Sequence, residues 1–98
     1  MRIEIRASAQ QHGITDAEIR ATITYPALRL PLTARRPHAD LYFYTAPAAP
    51  NQPWIEVIAD HAHPATAIAF HAMMLRPNTV ANLGIANLID PEYARQRK

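Results

Sequence analysis

Two side chains that exchange protons readily, Glu56 and His71, fall on neighbouring predicted strands in the second half of the chain. The segments Trp54 to Asp60 and Thr66 to Met73 are rich in apolar, β-branched and aromatic residues, and each predicts a strand. The five residues between them suit a hairpin loop. A carboxylate beside an imidazole fixes the tautomer of the ring, which prepares it for general acid or base catalysis.

The register of this hairpin follows from the need to bury one apolar face. Alternate residues of a strand share a face, so the core is expected to take the following apolar residues of the two strands: Ile55, Val57, Ala59, Ile68, Phe70 and Ala72. The simplest closure of the loop pairs Val57 with Phe70 and puts Glu56 directly opposite His71. Both polar residues then lie on the face away from the core.

The face that carries this pair has further residues suited to binding. Small Ala67 and Ala69 are expected to leave a shallow floor, Trp54 offers a ring for stacking, and Arg76 follows within one turn. Such a surface suits RNA, whose bases stack and whose phosphate oxygens need their charge neutralised. The alternative interpretation is that these residues only decorate the solvent side of an antiparallel sheet.

A histidine-rich loop is the one candidate metal site. Asp60, His61 and His63 have ligand-like spacing on an extended segment, and a metal-dependent hydrolase would use them. A solvated hairpin loop is the interpretation we favour, so no metal and no cofactor is expected. The chain contains no cysteine and only two glycines, which excludes thiolate chemistry and a Gly-rich phosphate loop.

Two further pairs of residues are candidates for RNA contact. Tyr42 and Tyr44 share a face of the predicted strand Leu41 to Thr45, where they either stack on bases or cover the sheet. Arg35 and Arg36, in the loop before that strand, either clamp phosphate or simply face solvent. Together with the tryptophan above, these four residues form the predicted RNA-binding set.

The remaining local patterns predict the elements around the hairpin. A strand at Arg2 to Arg6 leads to a helical turn at Ala7 to His12, and the capping box of Thr15 and Glu18 begins a helix that Pro26 ends. Further elements are a strand at Leu28 to Leu32, held to an edge by its proline, and a helix from Pro77 to Leu83. This order predicts an α+β fold, with an N-terminal strand and helices packed on a curled antiparallel sheet and a C-terminal helix.

Composition sets the remaining bounds. A chain of 98 residues suits one domain, which we expect to span residues 1–84, followed by a C-terminal extension at 85–98 that is either frayed or partner-binding. Nine of the ten basic residues are arginine, which favours phosphate recognition but also follows from GC-rich codon usage. No apolar run reaches the ~20 residues of a membrane span, so a cytoplasmic protein without a membrane partner is expected.

Two motifs resemble a known family. His12-Gly13-Ile14-Thr15, with Glu18-Ile19 following, resembles the His-Gly-Val-Ser/Thr start of the main helix in BrnT-type toxins, which are RelE-like ribonucleases of bacterial type II toxin-antitoxin modules. The segments Trp54 to Ile58 and His71 to Pro77 are similar to the Leu-Glu-Val-Val and His-Ala-Met-x-x-Arg-Pro patterns of small proteins identified as such toxins. The resemblance covers roughly residues 2–80.

This resemblance implies a RelE/BrnT-like fold and an endoribonuclease that cuts RNA by metal-independent acid and base chemistry. It implies a cognate antitoxin as partner, with the toxin either in a hetero-oligomer with the antitoxin or as a homodimer. Carried over residue by residue, it marks a catalytic set of Glu56, His71, Arg76 and His12. The competing hypothesis is a non-catalytic protein-interaction module that uses the same sheet face.

Overall fold

A five-stranded mixed sheet forms the frame of the molecule, and the computed structural model describes it together with the rest of residues 1–98. The strands are β1 (Arg2–Ile5), β2 (Leu28–Leu32), β3 (Leu41–Pro47), β4 (Trp54–Asp60) and β5 (Thr66–Met74), in the spatial order β1-β5-β4-β3-β2. The last four strands form an antiparallel meander with β2 at one edge. The predicted α+β class is therefore confirmed.

The N-terminal strand corrects the expectation of an antiparallel sheet. β1 lies parallel to β5, so that Ile3 pairs with Ala67 and Ile5 with Ala69. The chain then crosses one face of the sheet through a 3₁₀ turn at Ala7–Gln10 and the helix α1 (Asp16–Thr24) before it enters β2 at the opposite edge. In this position β1 covers the edge that β5 would otherwise leave open.

Helix α1 begins and ends where the sequence predicts. Thr15 Oγ1 accepts a hydrogen bond from the Glu18 amide at 3.1 Å, and Glu18 Oε1 accepts one from the Thr15 amide at 3.0 Å. The helix stops before Pro26, and its inner face buries Ile19 and Ile23. These contacts form the first core cluster, which joins α1 to the sheet face that carries the following residues: Tyr44, Ile55, Val57, Ala59, Ala67, Ala69, Ala72 and Met74.

The opposite face of the sheet is also covered, which the sequence reasoning missed. Helix α2 (Pro77–Leu83) packs there and ends at Gly84, whose φ of +67° suits a glycine at a helix C-terminus. A second core cluster joins α2 and the segment after it to the sheet through Phe43, Leu75, Val80 and Ile85. The face expected to be open to solvent is therefore an interior face over much of its area.

The hairpin register differs from the prediction by two residues. Val57 pairs with Ala72 and Glu56 with Met73, so Glu56 is not directly opposite His71. Beyond Ile58 the register shifts and leaves Phe70 as an extra, unpaired residue. Such a β-bulge breaks the strict alternation on which the prediction depended.

The bulge also exchanges the faces of β5. Ala67 and Ala69 lie in the first core cluster, where their small side chains let the 3₁₀ turn at Ala7–Gln10 approach β5. Ile68 and Phe70, predicted as core residues, are half-buried and line a groove on the other face. The shallow alanine floor predicted beside Glu56 is therefore wrong.

The C-terminal segment is docked against the domain rather than frayed. The Gln96 amide group donates to Met74 O at 2.8 Å and accepts from Met74 N at 2.9 Å, on the part of β5 that β1 does not reach. Arg97 pairs with Glu18 at 2.6 and 2.9 Å. No helix is long and apolar enough to span a bilayer.

Candidate active site

The buried carboxylate of Glu56 is the centre of the polar cluster on the α2 side of the sheet. Glu56 is 1% exposed and accepts five hydrogen bonds. Its Oε1 accepts from Arg76 N and Arg76 Nε, both at 3.1 Å, and from Thr79 Oγ1 at 2.9 Å. Its Oε2 accepts from His71 Nε2 at 2.9 Å and Arg76 Nη2 at 3.1 Å.

These donors explain how a carboxylate is tolerated in the interior. Burial alone would raise the pKa of Glu56, but the hydrogen bonds from His71, Arg76 and Thr79 outweigh it and hold the pKa below its ordinary value. Glu56 is therefore ionised at neutral pH. Because Arg76 and Thr79 lie at the start of α2, the same carboxylate also fixes that helix on the sheet.

His71 is held in one tautomer by this contact. An ionised carboxylate can only accept, so the ring nitrogen Nε2 must carry the hydrogen that it donates to Glu56. The other nitrogen, Nδ1, has no hydrogen-bond partner in the chain, and the side chain is 25% exposed. A neutral His71 therefore presents an unprotonated nitrogen that can take a proton from a ligand.

Arg76 places a positive charge beside this ring. Two of its nitrogens, Nε and Nη2, are held by Glu56, and that pairing raises the pKa of the guanidinium further. The third, Nη1, makes no hydrogen bond within the chain, and the side chain is 47% exposed. Arg76 can therefore contact an anionic group in solvent without leaving its carboxylate partner.

The structure thus brings together three of the four predicted catalytic residues. Glu56 and His71 meet as diagonal rather than opposed neighbours, and Arg76 reaches both sides of the carboxylate. His12 makes no hydrogen bond to any of them. Its Nδ1 instead lies 3.5 Å from Lys98 O at the chain end. Thr79 was missed, although a hydroxyl in the first turn of a predicted helix is a signal that could have found it.

The predicted RNA-binding residues do not form one surface. Trp54 is half-buried against the second core cluster. Arg35 and Arg36 are exposed in the loop between β2 and β3 and line the groove that also contains Phe70. Tyr42 and Tyr44 lie on the α1 side of the sheet, packed with or within the first core cluster.

The two tyrosines belong to a separate aromatic cluster. Tyr44 is 2% exposed, and its hydroxyl contacts His61 Nε2 at 2.5 Å and Arg29 Nε at 3.3 Å. The Arg29 guanidinium lies 3.9 Å from the centre of the Tyr42 ring. Burial and the charge of Arg29 lower the pKa of His61. Tyr44 therefore cannot stack on a base. Its pairing partner across β2 and β3 is Arg29, which the sequence patterns did not mark as a candidate residue.

The histidine-rich loop has a structural arrangement of its own. Asp60 Oδ1 accepts from the amides of Asp40 at 3.0 Å and Ala62 at 2.9 Å, while His61 turns toward Tyr44. No group of three or more histidine, cysteine or acidic residues has a geometry that could hold a metal ion.

The fold and the cluster define an α+β protein with a buried glutamate that positions a histidine and an arginine at the surface. No protein-family model, no curated protein and no solved structure matches the chain. The chemistry of the site is therefore the basis for a functional proposal.

Proposed function

We propose that the chain is the toxin of a bacterial type II toxin-antitoxin module, with a RelE/BrnT-like fold, and that it is an endoribonuclease that needs no metal. One observation carries the proposal: Glu56 holds His71 with Nδ1 free, beside the unengaged Nη1 of Arg76. The resemblance of the sequence motifs to BrnT-type toxins supports the choice of RNA as substrate.

We propose different roles for the two acid-base residues. His71 is the base, because its Nδ1 is free to accept a proton. Glu56 is a positioning residue, since its pKa is lowered and all five of its donors are within the protein. This arrangement resembles the acid that orients a catalytic histidine in other hydrolytic sites.

The reaction is a transfer of the phosphodiester to the neighbouring ribose hydroxyl. His71 Nδ1 removes the proton of the 2′-hydroxyl, whose oxygen forms a bond to the adjacent phosphorus as the bond to the 5′-oxygen breaks. The products are a 2′,3′-cyclic phosphate and a 5′-hydroxyl, and the leaving oxygen takes its proton from the imidazolium or from water. Arg76 Nη1 stabilises the charge on the phosphorane.

Induced expression in bacteria tests the proposal. The wild-type chain is expected to arrest growth and degrade cellular RNA, and His71→Gln to do neither, because the substituted amide cannot act as a base. His63→Gln is the matched control, since His63 is exposed in the hairpin loop and its side chain makes no hydrogen bond. Harmless expression of the wild-type chain, or equal toxicity of His71→Gln, contradicts the proposal.

The partner proposed with this function is a cognate antitoxin. Type II antitoxins are proteins encoded beside their toxins, so the neighbouring gene should encode a short protein that restores growth when it is expressed with the wild-type chain. Failure of every adjacent gene to do so would contradict this part of the proposal.

A non-catalytic interaction module is the second candidate function, and one observation favours it. Four of the five hydrogen bonds of Glu56, those from Arg76 and Thr79, join β4 to the start of α2, which is what a purely structural ion pair would do. In that case the purified wild-type chain leaves RNA intact, and His71→Gln changes neither growth nor RNA.

A further inference from the structure

A basic groove lies on the α2 side of the sheet, at the end away from α2. Its volume is about 590 Å³, within the range of ~300–1,000 Å³ that ligand sites occupy. Its walls and floor include Arg6, Arg35, Arg36, Asp60, Ile68 and Phe70. The arginines come from the end of β1 and from the loop between β2 and β3, so the fold, not the local sequence, brings them together.

The three arginines of this groove are free to bind an anion. Arg6, Arg35 and Arg36 are all exposed, and none forms an ion pair or a side-chain hydrogen bond within the chain. The one carboxylate in the groove, Asp60, already accepts from two backbone amides. An unpaired guanidinium offers two parallel donors that match phosphate oxygens, so the groove suits a ligand with more than one phosphate.

The floor of the groove is apolar and aromatic. Phe70 is the extra residue of the β5 bulge, which turns its ring to the groove side, next to Ile68. The Ser8 hydroxyl donates to Phe70 O at 2.6 Å and fixes the backbone of the bulge. An aromatic ring below several cations is the arrangement on which unpaired bases stack while the phosphates are neutralised.

The groove and the candidate active site are neighbours along β5, although they share no lining residue. Phe70 directly precedes His71, which pairs with Ile58 on the same sheet face as Glu56. A ligand with its base on Phe70 would therefore extend its backbone toward His71 and Arg76.

We infer that this groove binds single-stranded RNA beside the scissile phosphate, with one base on Phe70 and the flanking phosphates on Arg6, Arg35 and Arg36. The inference rests on the proposed function for the choice of RNA and deepens it by assigning the binding residues. Tyr44 has no part in the binding, because it is interior.

Binding of a non-cleavable oligoribonucleotide tests the groove separately from the chemistry. The probe is a fluorescent 2′-O-methyl strand of about eight nucleotides, measured by anisotropy against the full chain. We expect Phe70→Leu, which keeps the apolar side chain but removes the ring, to weaken binding about tenfold. Arg95→Gln, an exposed substitution in the C-terminal segment, is the control and should bind like the wild-type chain.

A second variant carries its substitutions outside β5. Arg35→Gln combined with Arg36→Gln changes only exposed loop residues and should make the dependence of log affinity on log salt shallower by about 1.4, since each phosphate contact on a single strand contributes about 0.7. An abasic strand of equal length should bind the wild-type chain and Phe70→Leu equally. Either of two results overturns the inference. One is normal binding by the double variant. The other is an equal loss of affinity for the probe and for the abasic strand in a Phe70→Leu variant that is folded.

The outcomes also separate this inference from the proposed function. His63→Gln should bind the probe like the wild-type chain, because His63 lies outside both the groove lining and the candidate active site. Probe binding without any RNA cleavage by the wild-type chain would contradict the proposed function alone. Cleavage that depends on His71 together with normal binding by the groove variants would contradict the groove alone.

Discussion

At the scale of single residues, the chemistry of the site depends on the hydrogen bonds that the Glu56 carboxylate accepts. Its five donors keep it ionised in the interior, and the same pairing removes it from the role of base. Sequence alternation correctly put Glu56 and His71 on one face. It could not show the contacts with Arg76 N and Thr79, because these depend on where α2 packs.

Removal of the Glu56 carboxylate should destabilise the protein strongly. Glu56→Ala leaves the donors of His71, Arg76 and Thr79 without their acceptor, and we expect the free energy of unfolding to fall by about 3 kcal/mol. Urea denaturation measures this change. The control is Glu4→Ala, whose ion pair with Arg2 is exposed, and it should cost no more than about 0.5 kcal/mol. Equal effects of the two substitutions would contradict the account of Glu56.

The lowered pKa of Glu56 predicts a sensitivity to acid. A carboxyl group whose pKa is lower in the folded chain stabilises it fully above the ordinary value of 4.5, and this contribution is lost as the pH falls through the folded pKa. Glu56→Gln does not titrate, so its stability should decline less than that of the wild-type chain between neutral and acid pH. Thermal unfolding at several pH values measures the difference, and parallel curves would contradict the prediction.

At the scale of elements, the sequence predicts features that depend on neighbouring residues. It fails for features that depend on contacts with residues distant in the chain. The capping box of Thr15 and the stop at Pro26 are local features that set the bounds of α1, as Pro77 and the left-handed Gly84 are for α2. The predicted hairpin register was wrong because β5 carries apolar residues on both faces and a bulge at Phe70. The parallel partner of β1 lies more than 60 residues along the chain, beyond the reach of any local pattern.

The docked C-terminal segment offers a test at this scale. Gln96 pairs both backbone groups of Met74, much as a neighbouring strand would. Gln96→Ala leaves these half-buried groups without partners, and we expect a loss of about 1–2 kcal/mol in the free energy of unfolding. Arg95→Ala, one position away and exposed, should leave it unchanged. A frayed segment would give no difference between the two variants in chemical denaturation.

At the scale of the whole molecule, both faces of the sheet are packed, and the candidate site lies where the second core ends. Chain length predicted one domain and the order of local patterns predicted the α+β class, but neither predicted that α2 would cover the face of Glu56. They also could not predict that Arg6 would join Arg35 and Arg36 around one groove, because Arg6 follows β1 and the other two follow β2, and these strands form opposite edges of the sheet.

Cleavage of RNA by the purified chain tests the central claim most directly. In the presence of a metal chelator, the wild-type chain should cut single-stranded RNA to products with 2′,3′-cyclic phosphate ends. His71→Gln, with thermal unfolding like that of the wild-type chain, should cut at least ~100-fold more slowly. A substrate that lacks the 2′-hydroxyl at the cut position should remain intact. Absence of cleavage by the wild-type chain, or an unchanged rate in His71→Gln, would contradict the claim.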